Sequence, residues 1–210
     1  DLILASGDML SGDREEGDAI AVALLSRLSD LAPVCFVNGN HEMCVERHQP
    51  ERYQKFMDDL KNGGVQILHN ETAWFWIDGE KVAVTGYELP WEYYRRFSRR
   101  HPSVVGMERS IGKRKQDAYQ ILLTHNPVFF EEYTAWGADF TFAGHLHGGF
   151  IRLPYFGGVI SPQFQLFPKY DRGLYQMDTS SMVVGAGMGN HSGLFRINNP
   201  TEIVTVRIKR

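Results

Sequence analysis

Short apolar runs alternate along this chain with longer stretches whose apolar residues recur at helical spacing. Residues 2–5 (LILA) and 33–39 (PVCFVNG) read as strands, and between them 15–31 (EEGDAIAVALLSRLSDL) reads as an amphipathic helix. A second helix is expected over 50–64 (PERYQKFMDDLKNGG), stopped by Gly63 and Gly64, with consecutive strands after it at 65–68, 72–77 and 81–87. Residues 119–125 (YQILLTH) and 139–145 (DFTFAGH) have the pattern of buried strands and flank the helix-like PVFFEEYTAWG of 127–137. A long loop is expected over 148–172, and then three closing strands at 173–178, 181–187 and 202–208. The alternation predicts an α/β fold in layers, with an antiparallel contribution near the C-terminal end.

Composition narrows the setting. At 210 residues the chain has the length of a single domain, 1–210, and its 43% hydrophobic and 22% charged residues are ordinary globular usage. A formal charge of -3 gives no bulk electrostatic reason to expect a nucleic-acid partner. No apolar run approaches the roughly 18 residues of a membrane-spanning helix, and the opening DLILASGD lacks the basic start of a signal peptide. The two cysteines, Cys35 and Cys44, imply no disulfide framework and point to a reducing compartment.

The ends of the predicted strands carry the chemistry. LILASGD ends in Asp8, CFVNGNHE in Asn40 and His41, ILLTH in His125, and TFAGHLH in His145 and His147. Ligands of open α/β sheets collect beyond the carboxyl ends of the strands, so these side chains are expected to meet in one crevice. Carboxylate, amide oxygen and imidazole together form a hard-to-borderline donor set suited to Mn²⁺, Fe or Zn²⁺.

Taken in order, Gly7-Asp8, Gly39-Asn40-His41-Glu42, Thr124-His125 and Gly144-His145-Leu146-His147 resemble the motifs of the calcineurin-like metallophosphoesterases. The tail from GGFIRLPYFGGV to NNPTEI is similar, more narrowly, to a bacterial branch of membrane-associated phosphodiesterases. The resemblance implies a layered α/β/β/α sandwich of two mixed sheets flanked by helices, its first strand absent from this chain. It implies a binuclear centre of Mn, Fe or Zn in which Asp8 bridges, Asn40, His125 and His145 complete one site, and His147 belongs to the other. A hydroxide between the metals would attack a phosphodiester or pyrophosphate bond. His41 would serve as a proton donor to the leaving alkoxide or as a hydrogen-bond donor to a phosphoryl oxygen.

The family pattern also begins with an Asp-x-His at the end of an earlier strand, and this chain has none, since Asp1 is followed by Leu2 and Ile3. We therefore expect a fragment in which one metal site is complete in protein ligands and the other holds His147 and a share of Asp8. Arg95 and Arg96, within the aromatic and basic stretch of 87–103, are candidate phosphate or anionic-lipid contacts, against the plainer reading of a solvated helix face. His191, in a second Gly-Asn-His at 189–191, is a lesser candidate for the substrate pocket, against a glycine-rich turn. The apolar loop of 150–170 suits a lipid-linked substrate or simple packing over the sheet edge. Two functions follow: a metal-dependent phosphoesterase acting on a nucleotide or lipid-linked substrate, with peripheral membrane contact, or a non-catalytic scaffold on the same fold. Cytoplasmic and membrane-associated locations are both consistent with this pattern.

Overall fold

The computed structural model describes residues 1–12, 15–95, 100–149, 151–153, 157–160, 166–189 and 196–208. The chain opens with β1 (Ile3–Ala5), α1 (Asp18–Ser29), β2 (Val34–Phe36), α2 (Asn40–His48), α3 (Pro50–Asn62) and β3 (Gln66–Ile67). A hairpin of β4 (Thr72–Ile77) and β5 (Glu80–Tyr87) follows. Its two-residue turn is Asp78-Gly79, both at positive φ (51° and 81°), the geometry that matches the twist of paired strands. Then come α4 (Val104–Ile111), β6 (Tyr119–Thr124), α5 (Phe130–Trp136) and β7 (Phe140–Ala143). A small ribbon of β8 (Arg152–Leu153) and β9 (Gly157–Gly158) precedes the closing hairpin of β10 (Gly173–Met177) and β11 (Ser180–Val184).

The strands form two principal sheets. The smaller has the order β1-β2-β3 and the larger β10-β11-β7-β6-β5-β4. Only the larger sheet is mixed. The smaller is parallel in both of its pairings, because each of its strands is reached through crossover helices rather than a hairpin. In the larger sheet β5, β6, β7 and β11 run parallel, and the antiparallel members are the two outer hairpin strands β4 and β10.

Strand periodicity explains the layering. In β2, Val34 and Phe36 face α1 and α3, packing with Leu25, Phe56, Met57 and Leu60. Cys35 and, just beyond, Val37 point the other way and meet Val82, Val84, Ile121 and Leu123 of the larger sheet. On the far face of that sheet Leu122 and Tyr87 pack with Met107 and Ile111 of α4 and with Tyr133 and Trp136 of α5. The result is the helix–sheet–sheet–helix sandwich expected from the sequence, with β2 of the smaller sheet and β6 of the larger buried on both faces.

Two local expectations fail. Residues 202–208 form no strand: Glu202 N–H reaches the Gly187 carbonyl, but Ile203 is 80% exposed and, among the described residues, no neighbouring strand runs alongside. The alternating apolar pattern there answers to no partner. Residues 40–48, where GNHE was read as a strand end, instead start a helix, because Glu42 turns back onto the backbone N–H of Gly39 (2.7 Å) and so caps the first turn.

Candidate metal centre

The four strands that carry the predicted ligands all point their carboxyl ends to the same edge of the sandwich. Asp8 lies three residues past β1, and Asn40 and His41 open α2 just after β2. His125 follows β6, and His145 and His147 follow β7. β1 and β2 are adjacent parallel strands, as are β6 and β7, so the two loop pairs face each other across the sandwich.

The approach of the first two loops requires glycine. A Cβ on Gly39 would stand 2.2 Å from Asp8 Oδ1 and 2.7 Å from the Asp8 backbone nitrogen, and one on Gly7 would stand 2.3 Å from the Gly39 nitrogen. Glu42, fully buried, clamps the same junction. Its Oε2 accepts from the Asp8 and Gly39 N–H groups (2.7 Å each) and its Oε1 from Met9 (2.6 Å) and Leu10 (2.7 Å). Burial and the Asp8 charge push this carboxyl up, while the N–H groups pull it back.

Asp8 itself takes a positive φ of 57°, uncommon for a residue with a side chain. Its Oδ1 accepts the His41 backbone N–H at 2.9 Å. Its Oδ2 lies 3.0 Å from His125 Nε2, and that nitrogen lies 3.1 Å from His145 Nδ1. His125 Nδ1 donates to the Ser6 carbonyl at 2.5 Å, which turns Nε2 toward Asp8 and His145, where it donates to the carboxylate unless a cation takes the place of its proton. Ligand atoms of Asp8, His125 and His145 all lie within 4.8 Å of one another.

A divalent cation fits this donor set. With ligands ~2.1 Å from an ion, neighbouring donor atoms stand ~3.0–3.4 Å apart, which matches the two short contacts around His125 Nε2. Burial opposes ionisation of Asp8, but the His125 charge and hydrogen bond, helped by His41 and His145, hold the carboxyl far below its ordinary value. Burial works against charge on His125 too, and there the Asp8 carboxylate overcomes it and raises the group. Burial and the His125 charge both push His145 well below the usual range, so this imidazole stays neutral and keeps a lone pair on one ring nitrogen. Two further polar atoms point the same way: His145 Nε2 and Asn40 Oδ1 are buried without a hydrogen-bond partner among the described residues. Leaving such atoms unmatched costs about 1–3 kcal/mol each, a cost that an ion or its water removes.

The remaining predicted residues stand around this group. His41 and His147 lie close enough for their charges to act on His145, and neither belongs to the three-residue cluster. His147 sits at φ 50° beside Gly187, whose Cβ would lie 3.9 Å from His147 Nδ1. Arg95 is exposed and directly follows the buried Tyr94, whose ring packs on His145 (5.3 Å) and His125 (6.0 Å). Arg96 and His191 lie outside the described residues.

Several residues that build the site escaped the sequence reading. Glu42 had a usable signal, an acidic residue three positions past the helix-capping glycine. Tyr94 and Asn199 had none. Asn199, 2% exposed, comes from the far end of the chain and donates through Nδ2 to the carbonyls of His147 (2.5 Å) and Gly149 (2.8 Å).

Known proteins carry the same pattern. The chain is 24% identical to the uncharacterized metallophosphoesterase YkuE of Bacillus subtilis over 211 residues, covering 100% of this chain and 68% of that one. It is 24% identical to the phosphodiesterase YaeI of Escherichia coli, covering 99% of this chain and 70% of that one. The crystal structure of phosphopantetheinyl hydrolase, PptH, from Mycobacterium tuberculosis superposes with a TM-score of 0.53 at 13% identity, over 88% of this chain and 78% of that one, which shows a shared fold. The family model described as calcineurin-like phosphoesterase matches residues 1–149, the span that contains every motif from Gly7-Asp8 to His147. The chain therefore belongs to the calcineurin-like phosphoesterases, metal-dependent hydrolases of phosphoric esters.

Proposed function

We propose that this site hydrolyses a phosphodiester or pyrophosphate bond, with Asp8, Asn40, His125 and His145 holding one divalent cation and His147 serving a second position that shares Asp8. The observation that carries the reading is the convergence of Asp8 Oδ2, His125 Nε2 and His145 Nδ1 through contacts of 3.0 and 3.1 Å, from three loops far apart in sequence. Mn, Fe and Zn all suit the donor set. A bound cation would supply Lewis acidity, activating water and offsetting charge on the phosphoryl oxygens.

The chain's own groups do the rest. The N–H of His41 fixes Asp8 Oδ1, and Glu42 fixes the Asp8 backbone, so the carboxylate is oriented before any ligand arrives. The His41 ring donates a hydrogen bond to a phosphoryl oxygen or a proton to the leaving alkoxide. On the substrate side, Leu153 (44% exposed), Leu166 (65%) and Phe167 (57%) follow the metal motif and offer apolar surface, which supports a lipid-linked substrate.

The test is hydrolysis of bis-p-nitrophenyl phosphate by the full-length protein with Mn²⁺ added, beside His41→Ala and His125→Ala. Turnover in the parent, a loss on the order of 10²-fold for His41→Ala and near-complete loss for His125→Ala are expected. Turnover unchanged by His41→Ala removes that residue from the chemistry, and no turnover with any of the three metals overturns the reading.

A further inference from the structure

A groove of about 430 Å³ is lined by Arg47, Trp91, Glu92 and Arg95. We propose that it is a subsite for a second phosphate carried by the same substrate, on the far side of the bond that is cut. The inference rests on the function proposed above and extends it from a bond type to a class of substrate.

Three observations place and characterise the groove. First, helix α2 starts at the site with Asn40 and His41 and carries Arg47 seven residues on. Seven residues return to nearly the same helix face and advance ~10.5 Å, so Arg47 stands about two turns along from Asn40. Second, the rings form a row. Tyr94 packs on His145 at 5.3 Å, and Trp91 packs on Tyr94 at 6.4 Å, with Trp91 43% exposed at the groove. The short 3₁₀ turn Trp91–Tyr94 thus reaches from the metal residues to the groove, and Arg95 follows it directly.

Third, the charges leave the groove basic. Glu92 is tied to Arg100 at 3.3 Å. Among the described residues the guanidinium groups of Arg47 and Arg95 have no ion-pair or hydrogen-bond partner. Two guanidinium forks over one wall match the oxygens of a phosphate, and the flat face of Trp91 suits the apolar or planar body that joins it to the scissile group. The ligand class is therefore a phosphodiester or pyrophosphate bearing another phosphate roughly 10 Å from the reacting phosphorus, the span set by two turns of α2.

The experiment uses the full-length protein with Mn²⁺ and two inert probes: methylphosphonate, and a bisphosphonate whose phosphonates stand about 10 Å apart, matched to that span. Titration calorimetry on the parent and on Arg47→Gln/Arg95→Gln should show the bisphosphonate binding at least tenfold tighter than methylphosphonate in the parent, and that advantage falling below twofold in the variant. A parallel series of p-nitrophenyl phosphodiesters, with and without a terminal phosphate on a linker of that length, should show the same collapse in the ratio of kcat/KM. Equal affinity of the parent for both probes, or an advantage that survives the double substitution, overturns the subsite. Failure to hydrolyse bis-p-nitrophenyl phosphate is a separate result: it overturns the proposed reaction while the calorimetric ratio still decides the subsite. Both arginines are exposed, so the variants should fold, and unchanged thermal melts would verify it.

Discussion

Glu42→Gln is the sharpest probe of how the site is held. In the parent, four backbone N–H groups, from Asp8, Met9, Leu10 and Gly39, converge on two carboxylate oxygens at 2.6–2.7 Å inside a fully buried space. The amide keeps the shape but can accept with only one oxygen, and its NH₂ then faces two N–H donors. Hydrogen bonds to a charged group are worth about 1.5–3 kcal/mol each, so losing two predicts a destabilisation of about 3–6 kcal/mol. That is a large share of the roughly 5–15 kcal/mol that holds a domain together, and at this chain length it lowers Tm by about 6–24 °C. Urea unfolding of the full-length protein, followed by tryptophan fluorescence, measures it, with the exposed neighbour Glu46→Gln as a control expected to change stability by less than about 0.5 kcal/mol. Because Glu42 Oε2 also fixes the Asp8 N–H, the variant should bind Mn²⁺ more weakly than the parent when both are folded. A change of less than about 1 kcal/mol would refute the reasoning, since it would mean that the four N–H groups find other partners at no cost.

Other outcomes follow from the same geometry. Gly39→Ala puts a methyl 2.7 Å from the Asp8 backbone nitrogen, which cannot rotate away, so a loss of about 1–3 kcal/mol and a weakened Mn²⁺ response are expected in thermal melts. Mn²⁺ at about 100 times its dissociation constant should stabilise the parent by roughly 2.7 kcal/mol, and Asp8→Asn should abolish that shift. Asp171 takes hydrogen bonds from Gly158 N–H (2.6 Å), Tyr175 OH (2.8 Å) and Arg172 N–H (2.8 Å) and pairs with Arg152 at 2.7 Å. Burial opposes its ionisation, but these partners win and hold the carboxyl below its ordinary value of 3.8. Its stabilising contribution is therefore fully present above pH 3.8 and is lost as pH falls through the folded-state value. Urea midpoints of the parent and Asp171→Asn should differ by the equivalent of about 2 kcal/mol at pH 6 and converge in acid.

Much of this architecture could be seen in the chain before any coordinates. Strands such as 119–124 and 140–143 are buried at nearly every position because one face meets the opposing sheet and the other meets helices, and that double burial leaves a mostly apolar run in sequence. The convergence of Asp8, His125 and His145 was legible because strand ends at one edge of parallel sheets are neighbours by topology, so these candidate ligands needed only their strands to be placed correctly. What could not be seen depends on contacts without a local signature. Helix α4 has an ordinary N-cap in Ser103, whose hydroxyl accepts from Gly106 N–H at 3.0 Å, but it is only 8 residues long and follows directly on the aromatic and basic stretch of 87–103, which hides its start. The segment 202–208 has an apolar alternation worthy of a strand, but it pairs with no strand among the described residues.

The backbone of the site shows why long-range partners matter more there than anywhere else. Eight described residues other than glycine adopt positive φ, and five of them are Asn or Asp, whose short polar side chains can bond the local backbone there; His145 (66°) and His147 (50°) carry a larger ring instead. Holding each there costs about 1–3 kcal/mol, so something must fix the loop against relaxation. Asn199 does so from the other end of the chain, bonding the His147 and Gly149 carbonyls, and Gly148 leaves the room it needs, since a Cβ there would stand 2.8 Å from its Oδ1. Neither the strain nor its restraint can be read from GHLHGG alone, because the motif names the two imidazoles while a residue fifty positions away holds the backbone between them and Gly149.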